Sequence, residues 1–260
     1  KLKIKINKKK ILNSLIKSIR EKINYKRKKK LKFKYDILLR SGKSSKISAK
    51  KILNTYSIDY YNFLKTSKRP NKKDFILFID QNLPDQPGQK IKNKSLNINR
   101  QQYYEELNIF FDYLEQKFRK SVIISGHPTS NKNQLKNKFH GRKVIMGKTA
   151  TLSADCLFML IHTSTCTSFA ALYNKPVIFI TFDDLENSYD AFIPKYLAKE
   201  VGSNYLNISH FKKKKIYSKL ALKIDKVKYK KYIESYLCHP LAINKKESPF
   251  KLLKKYIFEK

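Results

Sequence analysis

Hydroxyl-bearing residues are concentrated in one short stretch of the chain. Five of the six positions 163–168 are Ser or Thr, between an apolar run at 156–161 and a helical pattern at 165–173. Hydroxyls and free amides at the start of a helix form a ready site for an anion such as a phosphate. An ordinary helix cap with a polar turn uses the same residue types. The expected phosphate ligands are Ser164, Thr165, Thr167 and Ser168.

A second polar turn, His127-Pro128, directly follows the apolar residues 122–124. Proline fixes the local backbone turn. An imidazole at this position can donate a hydrogen bond to a phosphate or to a departing nucleotide. The alternative is that His127 only satisfies a loop carbonyl.

Acidic residues follow two other apolar runs. Asp80 comes after 75–79 and is predicted to be a general base, with a ribose contact or a turn cap as alternatives. Asp183 and Asp184 follow 176–181 and could hold a ribose, although a solvated acidic turn explains them equally well. No metal-ligand spacing is visible, so no metal site is predicted. The glycine patterns of dinucleotide-binding and P-loop proteins are absent from the sequence.

The elements that position these residues have the pattern of an α/β fold. Continuous apolar runs such as FILFI at 75–79 suit strands buried on both faces of a parallel sheet. Helical patterns lie between them, most clearly at 103–118. We therefore predict a Rossmann-like, doubly wound parallel sheet with helices on both faces. In such folds ligands bind outside the carboxyl ends of the strands, so the polar residues after the four runs should converge on one crevice.

Basic residues are concentrated in the flanks of the chain. The net charge is +23 for residues 1–73, +3 for 74–210 and +12 for 211–260. Since 51 of the 58 basic residues are Lys, and phosphate and base recognition favours Arg, the charge indicates codon bias more than nucleic-acid binding. A basic surface for an anionic membrane is the alternative, carried by an amphipathic helix at 11–30. The predicted domains are a basic N-terminal segment (1–73), a Rossmann-like domain (74–225) and a helical C-terminal tail (226–260) that breaks at His239-Pro240.

The expected location is the cytoplasm, at the inner membrane if the basic helix docks there. No apolar run approaches the roughly 20 residues that span a bilayer, and the basic start does not resemble a signal peptide. Cys156 and Cys166 lie in or beside apolar runs and are expected to be buried, which fits a reducing compartment. The chain begins with Lys, so we expect a fragment or an incompletely recorded reading frame.

Four segments together resemble the C-terminal, donor-binding half of GT-B-fold glycosyltransferases of bacterial surface polysaccharides. They are FILFIDQNLPDQPG, YYEELNIFFDYLEQKF, VIISGHPTS and GKTATLSADCLFMLIHTSTCTSFAALYNKPVIFIT. The His-Pro element followed by a Ser/Thr element is similar to that of sialyltransferases and Kdo-type transferases of capsule and lipopolysaccharide. The resemblance covers about 74–185, less than half of the chain.

The resemblance implies a role for each matching element. His127-Pro128 would contact the phosphate of a CMP-activated acidic sugar, and Ser164-Thr165 would bind the same donor phosphate. The acceptor would be a glycan or a lipid-linked glycan, and the protein would need no cofactor besides its donor substrate. Residues 35–64 match only the tail of an acceptor-binding half, so the usual catalytic carboxylate is expected to be missing. The alternatives are a CDP-polyol phosphate transferase and a non-catalytic basic module for membrane or RNA.

Overall fold

The structure is a computed structural model. It describes residues 35–66, 75–85, 98–187, 191–209, 211, 220, 222–242 and 247–258. The predicted helix at 11–30 and most of the predicted linker at 66–73 lie outside the described residues.

Two short strands open the described chain and form a two-stranded sheet. They are β1 (Tyr35–Arg40) and β2 (Ala49–Asn54). Residues 35–38 and 46–53 belong to one compact unit, and 39–45 together with the chain from Asn54 onward form a second.

A six-stranded sheet is the centre of the second unit, and all of its paired strands are parallel. The strands are β3 (Phe75–Ile79), β4 (Ser121–Gly126), β5 (Val144–Met146), β6 (Met159–Ile161), β7 (Val177–Thr181) and β8 (Asn204–Asn207). Their order across the sheet is β5-β4-β3-β6-β7-β8. This is the doubly wound order in which the chain builds outward from one central strand and then crosses to the other side.

Helices cover both faces of this sheet, which confirms the predicted fold class. They are α1 (Ile58–Thr66), α2 (Arg100–Phe118), α3 (Lys132–Lys138), α4 (Thr149–Asp155), α5 (Thr167–Leu172), α6 (Asp183–Glu186), α7 (Phe192–Val201), α8 (Lys226–Tyr232) and α9 (Pro249–Phe258). The C-terminal region contains α8 and α9, with a π-helical turn at Ile233–Leu237 and a 3-10 turn at Pro240–Ala242 between them. None of the described helices is long and apolar enough to cross a membrane.

The core has two layers because successive side chains of a buried strand point to opposite faces. On β3, Ile76 and Phe78 pack with α2 and α3, whereas Leu77 and Ile79 pack with α4, α5, α7 and α8. All four are at most 4% exposed. The apolar run FILFI is therefore buried on both faces, as its lack of alternation predicts. α1 lies on the second layer and packs against α4 and α5.

The strand β6 is shorter in the structure than the sequence pattern predicts, because the preceding helix α4 extends to Asp155. The predicted strand at 156–161 begins only at Met159, because Cys156 closes α4 and its thiol bonds to the carbonyl of Ser153. Leu157 still donates its amide to Phe75, so this segment is held against β3.

Candidate functional site

The carboxyl ends of β3, β4 and β6 border a cleft of about 340 Å³. β3 and β6 are neighbours in the sheet. The chain continues from β3 to β4 on one side of this pair and from β6 to β7 on the other side. A doubly wound fold opens a crevice at this switch point, and its ligands bind there. The residues lining the cleft are Ile79, Asp80, Gln81, Ser125, Gly126, His127, Pro128, Thr149, Thr163, Ser164, Thr165 and Cys166.

Three of the four polar sets that follow apolar runs meet at this cleft. Asp80, His127-Pro128 and Ser164-Thr165 all line it. The set that follows β7 does not. Asp183 accepts a hydrogen bond from Asn207, and Asp184 accepts one from the amide of Asn99. The expected convergence of all four sets was therefore wrong for this one, because β7 is a further strand away from the switch point and its turn binds other loops.

His127 presents one ring nitrogen as a donor. Its Nδ1 lies 3.3 Å from the backbone nitrogen of Thr129 and 2.8 Å from the hydroxyl of the same residue. A backbone N–H can only donate, so Nδ1 accepts and the neutral ring carries its proton on Nε2. The turn is closed by the amide of Ser130 donating to the carbonyl of His127. Nε2–H is thus available to donate to a ligand oxygen.

The Ser/Thr turn is held from the opposite wall by Gln81. Its Oε1 accepts from the amide of Thr163 at 2.5 Å, and its Nε2 donates to the Thr163 hydroxyl at 2.8 Å. Gln81 is 7% exposed, so these bonds are sheltered from water. This clamp joins the loop after β3 to the loop after β6 and fixes the width of the cleft between them.

The donors of the Ser/Thr turn lie before α5 and not in its first turn. The amides of Thr167 and Ser168 already donate to the carbonyls of Ser164 and Thr165. By contrast, the amides of Ser164 and Thr165 have no hydrogen-bond partner among the described residues, and the Thr165 side chain is exposed. The predicted anion site is therefore a turn with two unpaired amides, since the helix amides are already used.

Thr167 and Ser168 are not part of the cleft lining. Both are fully buried. The Thr167 hydroxyl donates to the carbonyl of Ser164 at 2.8 Å, and the Ser168 hydroxyl donates to Asp59 at 2.6 Å. These two predicted ligands are corrected to supports of the turn, because the short helix α5 turns their side chains inward.

Asp80 lines the cleft with a buried carboxylate that binds backbone amides. It is 2% exposed, and its two oxygens accept from the amide of Asn82 at 3.0 Å and from the amide of His127 at 3.4 Å. Burial raises the pKa of this carboxyl, and the two amide hydrogen bonds oppose that rise. These bonds tie the ends of β3 and β4 together, so Asp80 positions His127.

Asp59 on α1 is a carboxylate near the cleft that the sequence pattern did not reveal. It accepts the Ser168 hydrogen bond, and its charge acts on the cleft-lining thiol of Cys166. Burial raises the pKa of Asp59, while the Ser168 hydrogen bond opposes the rise. No local signal marks this residue, because its partner lies 109 positions along the chain.

His162 begins the Ser/Thr stretch but is a core residue. Its Nδ1 lies 2.7 Å from the carbonyl of Ile180, and its Nε2 lies 3.1 Å from the Tyr103 hydroxyl. A carbonyl only accepts, so Nδ1 carries the proton and Nε2 accepts from the tyrosine. Complete burial lowers the pKa of His162 to about 4. The ring is therefore neutral near pH 7 and anchors the turn.

The structure differs from the sequence prediction at Cys166, and it adds Ser125 and Thr149 to the cleft. Cys156 is buried as expected, whereas Cys166 is only partly buried and lines the cleft. Ser125 and Thr149 also line it, with their hydroxyls 2.8 Å apart, and neither had been singled out from the sequence. Among the described residues, no group of three His, Cys, Asp or Glu side chains is arranged to hold a metal ion.

A second cleft, of about 310 Å³, is lined by residues further along the loops that follow β3 and β4. Asn82 and Asp85 border it from the β3 side, and Thr129 from the β4 side. Arg100 and Lys138 also line it, and both pair with Asp85. A ligand longer than a phosphate could extend from the first cleft into this one.

Comparisons with known proteins find no matching protein-family model and no matching curated protein. Among solved structures, the chain is similar to UDP-GlcNAc 2-epimerase from Methanocaldococcus jannaschii, which was solved in complex with UDP-GlcNAc and UDP. The TM-score is 0.41 and the identity is 14%, over 72% of this chain. The chain spans 55% of the length of that protein. The functional proposal below rests on the residues of the cleft.

Proposed function

We propose that the cleft binds the phosphate of a nucleotide-activated sugar and that the chain is the donor-binding part of a glycosyltransferase. The observation that supports this most is the meeting of His127-Pro128 with Ser164-Thr165 at the switch point of the sheet. The resemblance assigns both elements to the donor phosphate, and both line the same cleft.

The proposed chemistry is an inverting, metal-independent transfer from a CMP-linked acidic sugar such as a sialic acid or Kdo. An acceptor hydroxyl attacks the anomeric carbon, the bond from that carbon to the phosphate oxygen breaks, and CMP departs. His127 Nε2–H and the amides of Ser164 and Thr165 would stabilise the charge that develops on the phosphate. The proton of the acceptor hydroxyl must pass to a base. Asp80 is the candidate for that base, since it lines the cleft and burial raises the pKa of its carboxyl above the usual value.

The biological setting that we propose is synthesis of a capsule or lipopolysaccharide in a bacterial cytoplasm. The acceptor would be a growing glycan or a lipid-linked glycan. Contact with an anionic inner membrane through the basic helix predicted at 11–30 belongs to this proposal.

A nucleotide titration followed by thermal shift tests the donor site. We expect CMP, and more weakly UDP or ADP, to raise the melting temperature of the wild type. His127→Ala and Ser164→Ala should lose most of that rise. The first removes the Nε2–H donor, and the second removes the hydroxyl that accepts the Cys166 amide at 3.1 Å and holds the turn amides in place. Loss of one charge-assisted hydrogen bond corresponds to roughly a tenfold to hundredfold weaker affinity.

Ser168→Ala is the matched control, since its hydroxyl bonds to Asp59 and does not line the cleft. Absence of stabilisation by every nucleotide would contradict the donor site. Tight, salt-sensitive binding of RNA would favour a basic binding module instead. Turnover of a CDP-linked polyol with release of CMP would favour a polyol phosphate transferase.

A further inference from the structure

The last described helix, α9, has an unusual outer face. Its inner side carries Pro249, which is buried, and Leu252, Leu253 and Tyr256, which are partly buried. On the outer side Phe250 is 67% exposed, Ile257 47% and Phe258 75%. A helix that only covers a protein core places polar residues on its outer side. Three large apolar side chains facing water at one helix therefore indicate a surface that binds something.

Cations are interleaved with these apolar side chains. Lys251, Lys254 and Lys255 are all exposed on α9, and Lys255 pairs with Glu247 just before the helix. Residues 211–260 as a whole contain 16 Lys or Arg and 4 Asp or Glu. The surface that accepts this helix must bury aromatic rings and also carry negative charge.

We propose that α9 docks in the plane of an anionic lipid bilayer, with Phe250 and Phe258 in the acyl boundary and the lysines at the headgroups. This combination of exposed aromatics with flanking lysines is what interfacial helices use, and its strength comes from buried apolar area plus attraction to anionic lipid. A second copy of the chain would bring the same positive charge and repel α9. The inference is independent of the proposed donor site and of the basic helix predicted at 11–30.

A single tryptophan probe tests insertion directly, because the chain contains no Trp. In Phe258→Trp, we expect the emission maximum to shift to the blue when vesicles of phosphatidylcholine with phosphatidylglycerol are added, and brominated lipid to quench it. Vesicles of phosphatidylcholine alone should give a much smaller shift. Val227→Trp places the probe on α8 at a side chain that is 80% exposed, and its emission should not change.

Vesicle sedimentation of the full chain then separates the apolar and the charged contributions. Phe250→Ser with Phe258→Ser should lower the partition coefficient by about tenfold or more, since partition scales with buried apolar area. Lys251→Gln with Lys254→Gln should lower it further than the charge-matched pair Lys226→Gln with Lys230→Gln on α8.

Three results would overturn the proposal. The first is Phe258→Trp emission that stays unchanged on anionic vesicles that the protein nevertheless binds, which would assign the binding to another segment. The second is equal loss of partition from the α9 and α8 lysine pairs. The third is a blue shift that depends on protein concentration without lipid, which would identify self-association. Nucleotide binding should be unaffected by these variants, so failure here leaves the donor site standing.

Discussion

Acidification should destabilise the fold through His162, whose ring is buried and neutral. Its pKa is lowered from 6.5 to about 4 in the folded protein. Above pH 6.5 neither state holds the extra proton, so His162 contributes nothing to the pH dependence. As the pH falls from 6.5 towards 4, the unfolded chain takes up a proton that the folded protein excludes, and the free energy of unfolding decreases.

The size of this effect follows from the two pKa values. At about 1.36 kcal/mol per pKa unit, the loss approaches roughly 3 kcal/mol below pH 4, and about 2.5 kcal/mol of it is present at pH 4.5. This is a large share of the 5–15 kcal/mol that is typical of a folded domain. A change of this size in the free energy of unfolding can therefore be measured by urea unfolding.

The assay compares the wild type with His162→Gln at pH 7.5, 6.5, 5.5 and 4.5. Glutamine does not titrate, and its amide can donate to the Ile180 carbonyl and accept from Tyr103. Carboxyl groups such as Asp59 titrate equally in both proteins, so they cancel in the difference. The wild type should be the more stable protein at pH 7.5, and its advantage should shrink by about 2.5 kcal/mol by pH 4.5. Parallel pH profiles for the two proteins would refute the argument.

Three further predictions concern the cleft and the packing around it. Ser168→Ala should lower the free energy of unfolding by about 1–2 kcal/mol in urea unfolding, by loss of a sheltered hydrogen bond, and leave nucleotide affinity unchanged. Ser164→Ala should lower nucleotide affinity in calorimetry, because its hydroxyl accepts the Cys166 amide and holds the turn. Gln81→Glu keeps the shape of the clamp but adds a negative charge to the cleft, so calorimetry should show nucleotide affinity falling by about tenfold or more. The melting temperature should also fall, because the new carboxylate is buried without a cation beside it among the described residues. Gly42→Ala would place a Cβ 2.1 Å from the carbonyl oxygen of Ser235, so urea unfolding should show a loss of about 2 kcal/mol or more.

Each of these has a contrary result. Equal loss of affinity in the two serine variants would restore Ser168 to the binding site. Unchanged affinity in Gln81→Glu would place the anion elsewhere. Wild-type stability of Gly42→Ala would mean that this backbone contact can relax.

The parallel sheet and the edge that carries the polar residues could be predicted from the sequence for a physical reason. Runs such as FILFI can be satisfied only when both faces are buried, which requires a parallel sheet between helices. The polar residues after those runs must then lie along one edge, so the sequence predicts that His127 and Ser164 lie near each other. The direction of the side chains within that edge could not be predicted in the same way.

Contacts over long sequence separations decided what the pattern left open. Ser168 and Thr165 look alike in the sequence, but Ser168 faces Asp59 on α1 while Thr165 faces the cleft. Gln81 follows Asp80 and has no motif of its own, yet it makes the clamp to Thr163. Such roles depend on which element packs against the turn, and a local pattern contains no information about that neighbour.

Hydrogen–deuterium exchange with and without a saturating nucleotide tests the central claim most directly, because it locates the ligand on the chain. The nucleotide used would be the one that gives the largest thermal shift among CMP, UDP and ADP. We predict slower exchange in peptides that span 125–129 and 163–166, and loss of that protection in His127→Ala. Binding that leaves both segments unchanged, or that protects only other parts of the chain, would contradict a phosphate site at the switch point.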